Sequence, residues 1–315
     1  MPSFLTLRSR REAASRRAKH EGRRDAVTAA LVMTGALIAV SHSSVFIRLA
    51  DAPPLVVAAV RMTVAAAVLI GLALWRERAA LAAVERRQAA QVLLAGLFLA
   101  AHFAAWTASL YHTSIANSVL LVNLSPVWLA VWATVAGAGA PGRLTWASVG
   151  LAVAGSLVIG GASAELGGHT SLHGDGLALL GGLALAAYLL VASRARQRLP
   201  LATYAGLTYS IAALILVAAA LVAGQGFADL SWPTWQALLA LALVSQVLGH
   251  TGYNWALRTV DPAFVAVVLL GEPVLAALFG WLWYGEAVGP ATLAGGALVL
   301  AAIWLGARAQ AGRKA

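Results

Sequence analysis

The sequence predicts an all-α polytopic membrane protein with ten transmembrane helices, arranged as two inverted repeats of five helices each. Of its 315 residues, 61% are hydrophobic and 11% are charged, whereas about 25% of a typical soluble domain is charged. Ten apolar runs are long enough to cross a bilayer, which takes about 20 residues. Features of the first half also recur in the second half. This composition excludes an ordinary soluble enzyme and a disordered chain.

The ten apolar runs follow one another with short connections between them. They cover residues 26–48, 53–75, 88–110, 113–136, 144–163, 174–193, 201–223, 234–257, 260–284 and 288–307. Such connections leave no room for a soluble domain, so the functional groups must lie among the helices. The chain therefore divides into a basic arm (1–25), a first five-helix repeat (26–163), a second five-helix repeat (174–307) and a tail (308–315).

The positions of arginine and lysine predict the orientation. With the N terminus in the cytoplasm, 20 of the 22 basic residues fall in the arm, the tail or a cytoplasmic connection. Of the other two, Arg48 is in an outer connection and Arg61 lies within the second run. Because basic residues concentrate in cytoplasmic segments, we expect both termini in the cytoplasm and the protein in the bacterial plasma (inner) membrane.

Several residue types exclude particular functions. Without any cysteine, the chain has no disulfide, iron–sulfur cluster or thiolate zinc site. The two lysines, Lys19 and Lys314, are in the arm and the tail, so no Walker-type phosphate loop can form. Membrane topology explains the formal net charge of +10 better than nucleic-acid binding does. The expected partners are the lipid bilayer and a small-molecule substrate, with no cofactor and no nucleic acid, and the oligomeric state is left open.

One connection contains residues of metal-binding types. The Gly-rich outer connection between the fifth and sixth runs holds Glu165, His169, His173 and Asp175. Nothing in the sequence pattern places them on a rigid element, so we expect a solvated loop rather than a metal site.

The second half of the chain repeats the first at an offset of 147 residues. This offset pairs Ser125-Pro126 with Glu272-Pro273. Five spans is an odd number, so the second copy must enter the membrane from the opposite side, as in many secondary transporters. Because proline removes a backbone donor within a helix, Pro126 and Pro273 are predicted helix breaks.

Three stretches of the sequence carry a resemblance to a known family. They are GEPVLAALFGWLWYGE from Gly271, PPLVVAAVRMTVAA from Pro53 and HFAAWTASLYHTSIANSVLLVNLSPVW from His102. The Glu-Pro pair, with a second Glu after the same helix, is their most specific feature. Together they resemble the drug/metabolite transporter superfamily of the EamA type. The resemblance implies proton-linked or facilitated movement of small metabolites, commonly efflux of amino acids or drugs, through a cavity between two helix bundles.

Two charged side chains are predicted far from either membrane face. At about 1.5 Å per residue, Glu272 lies about 18 Å deep, where an ionised group should be neutral, paired or facing water. It is therefore either a proton or substrate site or a structural tie to a neighbouring helix. Arg61 could pair with Glu272, bond to carbonyls freed near Pro126 or Pro273, or bind a substrate carboxylate. With His42, these two residues are the candidates for proton coupling or buried charge.

Polar and aromatic residues form a stripe along one face of the third run and another along the eighth. A helix surrounded by lipid would not keep such stripes, so we expect them to line an interior cavity. There His can exchange a proton and Trp or Tyr can stack on a ligand; the alternative is interhelical hydrogen bonding at about 0.6 kcal/mol per contact. With single residues from the fourth and sixth runs, the cavity-lining set is His102, Trp106, Ser109, Asn123, Tyr188, Gln246, His250, Tyr253 and Asn254.

These features favour a secondary transporter that exports a small metabolite, such as an amino acid or an amphipathic drug-like compound. The expected mechanism is alternating access by rocking of two five-helix bundles, with a proton link as an open part of the interpretation. One alternative is an intramembrane enzyme, although the sequence has no G-x-S-x-G elbow and no H-E-x-x-H pair. The other alternative is a non-transporting scaffold, for which buried His, Arg and Glu side chains would be costly.

Overall fold

A computed structural model describes residues 26–113, 115–135, 141–164, 171–284 and 288–312 of the chain. Throughout these ranges the regular secondary structure is helical. The α-helices are α1 (26–41), α2 (Ser43–Leu49), α3 (Pro54–Arg76), α4 (Arg78–Ala82), α5 (Arg86–Ser109), α6 (Ile115–Val122), α7 (Ser125–Val135), α8 (Arg143–Ala164), α9 (Leu172–Arg196), α10 (Leu201–Val222), α11 (Trp232–Ala240), α12 (Thr251–Ala256), α13 (Pro262–Leu269), α14 (Glu272–Tyr284) and α15 (Pro290–Gly312). A π-helix, Leu241–His250, connects α11 to α12.

Six helical stretches within the described ranges are long and apolar enough to cross a membrane, by length and composition. They are Ala26–Ile47, Pro54–Arg76, Arg86–Ser109, Leu172–Arg196, Leu201–Val222 and Pro290–Ala309. Three shorter apolar stretches are Ser125–Val135, Arg143–Ile159 and Pro262–Leu275. The molecule is therefore an integral membrane protein whose described residues form helices and their connections.

Two of the predicted spans are divided into pairs of shorter helices. In the run 113–136, α6 ends at Val122 and α7 begins at Ser125, immediately before Pro126. In the run 260–284, α13 ends at Leu269 and α14 begins at Glu272, immediately before Pro273. Proline lacks an N–H donor and is tolerated in the first turn of a helix, where that donor has no partner. Both divisions fall at the positions that the 147-residue offset pairs.

A third predicted span, 234–257, differs from a regular α-helix in its middle. The ten residues Leu241–His250 are π-helical, with backbone bonds between residues five apart. This segment packs tightly on α1: a Cβ at Gly249 would lie 2.5 Å from the Val40 Cγ2 atom. The Ser245 hydroxyl also donates to the carbonyl oxygen of Ala39 at 3.0 Å. A regular 3.6-residue repeat therefore does not describe the side-chain positions along this span.

Helices α3 and α10 cap one another at opposite ends. Glu77, which follows α3, accepts hydrogen bonds from the Thr203 backbone N at 2.7 Å, the Thr203 hydroxyl at 2.9 Å and the Ala202 backbone N at 3.4 Å. Gln225, which follows α10, accepts a bond from the Leu55 backbone N near the start of α3 at 3.0 Å. The two helices are therefore antiparallel. They occupy the second position of each predicted repeat, and an inverted repeat requires opposite directions there.

The fifth helix of each predicted repeat also packs on its counterpart. A Cβ at Gly155 in α8 would lie 2.6 Å from the carbonyl oxygen of Gly295 in α15, and the reverse distance is also 2.6 Å. The Ser148 hydroxyl in α8 donates to the Ala302 carbonyl in α15 at 2.8 Å. Small residues let helix backbones approach closely inside a membrane. The helices α8 and α15 therefore form one tightly packed pair.

The two repeats interlock at their other helices as well. A Cβ at Gly182 in α9 would lie 2.7 Å from the Val122 carbonyl oxygen in α6. On the other side, a Cβ at Gly271 would lie 2.7 Å from the Leu37 Cδ2 atom in α1. Each contact joins one repeat to the other. Close contacts between the described helices therefore cross from one repeat to the other, so the two repeats are interleaved in the packing.

Candidate functional site

A cluster of buried polar and aromatic side chains lies where helices of both repeats meet. Its members come from α3, α5, α9, α10, the π-helix and α12. None of them is more than 8% exposed, and we call them the central cluster: Arg61, His102, Phe103, Trp106, Tyr188, Tyr209, Gln246, His250, Thr251 and Asn254.

Arg61 is at the centre of this cluster and is held by a neutral partner. Its Nε donates to the Gln246 Oε1 at 2.7 Å, and its guanidinium carbon lies 4.2 Å from the centroid of the Phe103 ring. Glu272 acts on the Arg61 charge only at longer range and forms no salt bridge with it among the described residues. Pairing with Glu272 is one of three alternatives that the sequence leaves open for Arg61. The contact that the structure shows is instead with Gln246, whose Oε1 accepts from the guanidinium Nε. Arg61 Nη2 is buried without a hydrogen-bond partner.

A chain of hydrogen bonds connects α9 to the π-helix. The Tyr188 hydroxyl donates to the Asn254 Oδ1 at 2.6 Å, and the Asn254 Nδ2 donates to the Tyr209 hydroxyl at 3.0 Å. The Tyr209 and Thr251 hydroxyl oxygens are 3.1 Å apart, and Thr251 donates to the Gln246 carbonyl at 3.2 Å. Buried polar groups that satisfy one another in this way fix the packing of their helices. Tyr188 and Asn254 are therefore engaged in interhelical hydrogen bonds in this conformation, which is the alternative to cavity lining that the sequence leaves open.

Four rings form an aromatic layer beside Arg61. The His102 and Trp106 rings are stacked, with centroids 6.0 Å apart and planes at 5°. The Phe103 and His250 rings meet edge to face, with centroids 5.4 Å apart. His102 Nδ1 lies 2.9 Å from the Gly181 carbonyl oxygen, and since a carbonyl only accepts, this nitrogen carries a proton. The Trp106 Nε1 is buried without a hydrogen-bond partner.

The remaining predicted cavity residues differ in whether their side chains have hydrogen-bond partners. The Ser109 hydroxyl donates to the Trp106 carbonyl at 2.6 Å and lies 2.6 Å from the Ser118 hydroxyl, so its capacity is largely used. Asn123, at the division between α6 and α7, has a buried Nδ2 without a hydrogen-bond partner. The Tyr253 hydroxyl is also buried without a partner. Each such buried group without a partner needs an explanation, because most buried polar groups in proteins are hydrogen-bonded.

The structure places the other two charge candidates beside α14. Glu272 is the first residue of α14 and is 8% exposed, at the positive end of the helix dipole. His42 lies at the junction of α1 and α2, where its Nδ1 is 2.8 Å from the Ile38 carbonyl. Its ring centroid is 4.3 Å from that of Phe279 in α14. His42 therefore contacts the same half-helix that begins at Glu272.

A cavity of about 390 Å³ opens at the ends of α2 and α5. Along α5 it lies about one helical turn beyond Trp106. The Tyr111 hydroxyl at its edge donates to the Ala52 carbonyl at 2.8 Å. No member of the central cluster lines this cavity, whose walls are Ser44, Ile47, Ala50, Asp51, Ala52, Leu110 and Tyr111.

Part of the predicted outer loop belongs to a helix. His173 and Asp175 lie in the first turn of α9, where Thr113 donates to the Asp175 Oδ1 at 2.7 Å. The His112 and His173 rings are in contact, with centroids 5.0 Å apart. These two residues therefore lie in a helix rather than in a loop, and His173 is exposed. Glu165 and His169 lie outside the described residues.

Sequence reasoning missed three buried residues in or beside the central cluster. Tyr209 and Phe103 were not among the candidates, although each contacts a candidate directly. Arg196, counted as a cytoplasmic marker, is 3% exposed and donates to the carbonyls of Asn254 and Leu199. The concentration of hydroxyl side chains in α10, with Tyr204, Thr208 and Tyr209 in one short stretch of an otherwise apolar helix, is the signal that could have identified Tyr209.

Comparison with known proteins relates this fold to one family. The model of the EamA-like transporter family matches residues 27–161 and again residues 172–307. An uncharacterized transporter of Archaeoglobus fulgidus is 27% identical over 201 residues, which cover 62% of this chain and 68% of that protein. A solved crystal structure has a TM-score of 0.76 at 18% identity, covering 92% of this chain and 99% of that chain, and shows a shared fold. Since the two family matches together span nearly all of the chain after its N-terminal arm, the chain belongs to the EamA-like transporter family.

Proposed function

We propose that this protein is a secondary transporter that exports a small metabolite by alternating access. The supporting observation is the central cluster: a closed layer of polar and aromatic side chains, contributed by both repeats, with several donors that have no acceptor. Intramembrane polar groups are costly and usually mark a substrate or ion pathway. The substrate is a small metabolite such as an amino acid or an amphipathic drug-like compound.

The proposed topology has ten spans in two inverted repeats, with both termini in the cytoplasm of a bacterial cell. The antiparallel capping of α3 and α10 supports the inversion, and so do the two family matches. Spans four and nine then each consist of two half-helices that meet near the bilayer midplane. Discontinuous helices of this kind supply backbone polar groups and dipole ends at transporter binding sites.

In the proposed cycle, the central cluster is alternately opened to each side of the membrane. In the conformation described here the cluster is closed, while the 390 Å³ cavity begins one turn beyond Trp106 on the predicted outer side. Opening therefore requires the helices around α5 and α9 to move relative to those around the π-helix. Glu272 and His102 are the proposed proton acceptors, because each is a buried titratable group next to helices that must separate.

The test is transport by the purified full-length protein in proteoliposomes. Uptake of radiolabelled amino acids and of ethidium would be measured with and without an imposed pH gradient. We expect flux above that of protein-free vesicles, a rate that depends on the gradient, and loss of this dependence in Glu272→Gln and His102→Ala. The matched controls are Glu85→Gln and His112→Ala, which change the same residue types at exposed helix ends.

Two results would count against the proposal in different ways. Unchanged flux and unchanged pH dependence in both variants would remove Glu272 and His102 from the mechanism. Flux equal to that of protein-free vesicles for every compound would contradict transport of this substrate class.

A further inference from the structure

We infer that Arg61 and Gln246 form a carboxylate-binding subsite, so that the transported molecule is an organic acid or zwitterion with an apolar or aromatic body. The inference rests on the proposed transport function and specifies the substrate class of the same site. It follows from the buried cation, from the two unpaired donors beside it and from the rings that surround it.

The charge of Arg61 has no close counter-ion among the described residues. Its side chain is 1% exposed, and its Nε bonds to the neutral amide of Gln246. The Phe103 face, 4.2 Å away, stabilises a cation but does not neutralise it. Glu272 lowers the cost only through a longer-range attraction. A buried guanidinium with this environment strongly attracts an anion that can reach it.

The unpaired atoms at this point are both donors. Arg61 Nη2 and Gln246 Nε2 are buried without partners, and the two side chains are already joined by the 2.7 Å bond between Arg61 Nε and Gln246 Oε1. A guanidinium and a primary amide can each donate to a carboxylate oxygen. A ligand that offers only donors, such as an alkylammonium, would leave both atoms unsatisfied and would add a second positive charge.

The surroundings of the guanidinium indicate the rest of the ligand. Phe103 lies beneath Arg61, His250 meets the Phe103 edge at 5.4 Å, and Trp106 lies 6.5 Å from Phe103 between ring centroids. These rings offer apolar faces next to the two donors. A carboxylate on a short apolar or aromatic body therefore matches both parts of the site. Because the cluster is closed in this conformation, the ligand enters when the helices separate.

The test compares three ligands that differ in one group. Thermal unfolding of the purified full-length protein would be followed by tryptophan fluorescence with 3-phenylpropanoate, 3-phenylpropanamide or 3-phenylpropylamine. A ligand that binds the folded state raises the unfolding temperature. We expect a concentration-dependent increase with the acid and none with the amide or the amine. Arg61→Gln is expected to abolish the increase.

Gln246→Glu is the second variant, and it does not remove Arg61. It places a carboxylate at the position that now accepts from Arg61 Nε at 2.7 Å. The protein then carries its own counter-ion, so we expect it to fold at least as stably as wild type and to lose the response to 3-phenylpropanoate. The matched control is Gln91→Glu on α5, which makes the same change at a partly buried site outside the cluster and should keep the response.

Several outcomes would overturn the subsite. They are an equal response to the acid and the amide, no response to the acid, or a response to the acid that persists in Gln246→Glu. Failure of the transport function is a separate result. If the acid stabilises the protein through Arg61 but is not transported, the subsite stands and transport of it does not. If proteoliposomes transport the amide or the amine and not the acid, transport stands and the subsite does not.

Discussion

The Glu77 carboxylate, just past the end of α3, accepts hydrogen bonds from both the backbone and the hydroxyl of Thr203 at the start of α10. The residue before α10 is Pro200, whose side chain cannot cap the helix. A helix start leaves backbone N–H groups without partners, and at this start the buried position of Thr203 keeps water away from them. Glu77 therefore provides from another helix the cap that the local sequence lacks.

Removing this cap should destabilise the protein. We expect Glu77→Ala to lower the free energy of unfolding by about 1 kcal/mol, as for other N-caps. Gln225→Ala, which removes a single bond to the start of α3, should cost less. Reversible unfolding in detergent–SDS mixtures measures both. A larger loss for Gln225→Ala would show that the cap on α3 contributes more than the cap on α10.

The glycine contact between α8 and α15 can be tested with two substitutions on one helix. A Cβ at Gly155 would lie 2.6 Å from the Gly295 carbonyl, whereas a Cβ at Gly150 would have no atom within 4 Å. Gly155→Ala should therefore destabilise the protein by about 1–3 kcal/mol through overpacking. Gly150→Ala should be neutral or stabilising, because alanine favours a helix. Equal effects of the two substitutions on unfolding would contradict the close approach of these helices.

The hydrogen-bond chain through Asn254 can be tested with two tyrosines. Tyr209→Phe removes a hydroxyl that contacts both Asn254 and Thr251. We expect a loss of about 0.6 kcal/mol of unfolding free energy, with about 1.7 kcal/mol as the upper range for such bonds in membranes. Tyr253→Phe removes a buried hydroxyl without a partner and should have no cost. The same unfolding assay compares them, and a greater loss for Tyr253→Phe would indicate a bond that the structure lacks.

The proposed topology can be tested with thiol labelling, because the natural chain contains no cysteine. Ala228→Cys, in the exposed connection after α10, should react with a membrane-impermeant maleimide added to intact cells. Arg87→Cys, exposed at the start of α5, should react only after the membrane is permeabilised. The reverse pattern would place both termini outside.

The sequence predicts the faces of helices better than it predicts their partners. The spacing of His102 and Trp106 correctly indicates a shared buried face, because an α-helix repeats every 3.6 residues. The same spacing carries no information about which residue on another helix comes close. The bond between Arg61 and Gln246 joins residues 185 positions apart, and it depends on the rotation of two helices, one of them π-helical.

Counting charges has a similar limit. Arg194, Arg196 and Arg198 have the same weight in a topology argument, which depends only on their position along the chain. Arg196 alone is buried, because it reaches the carbonyl of Asn254 on α12. Likewise, Pro126 and Pro273 indicate where a helix can be interrupted, but only the folded chain shows Glu272 as the first residue of a new helix.

The chain divides into two halves by sequence but not by packing, because α3 packs on α10 and α8 packs on α15. By ancestry, the chain has two halves that meet near residues 164–171. By packing, the halves complete one another, since Glu77 caps a helix of the second half and Gln225 caps a helix of the first. A single half made alone would therefore expose to lipid or water the surfaces that its counterpart now covers, including the close glycine contact between α8 and α15.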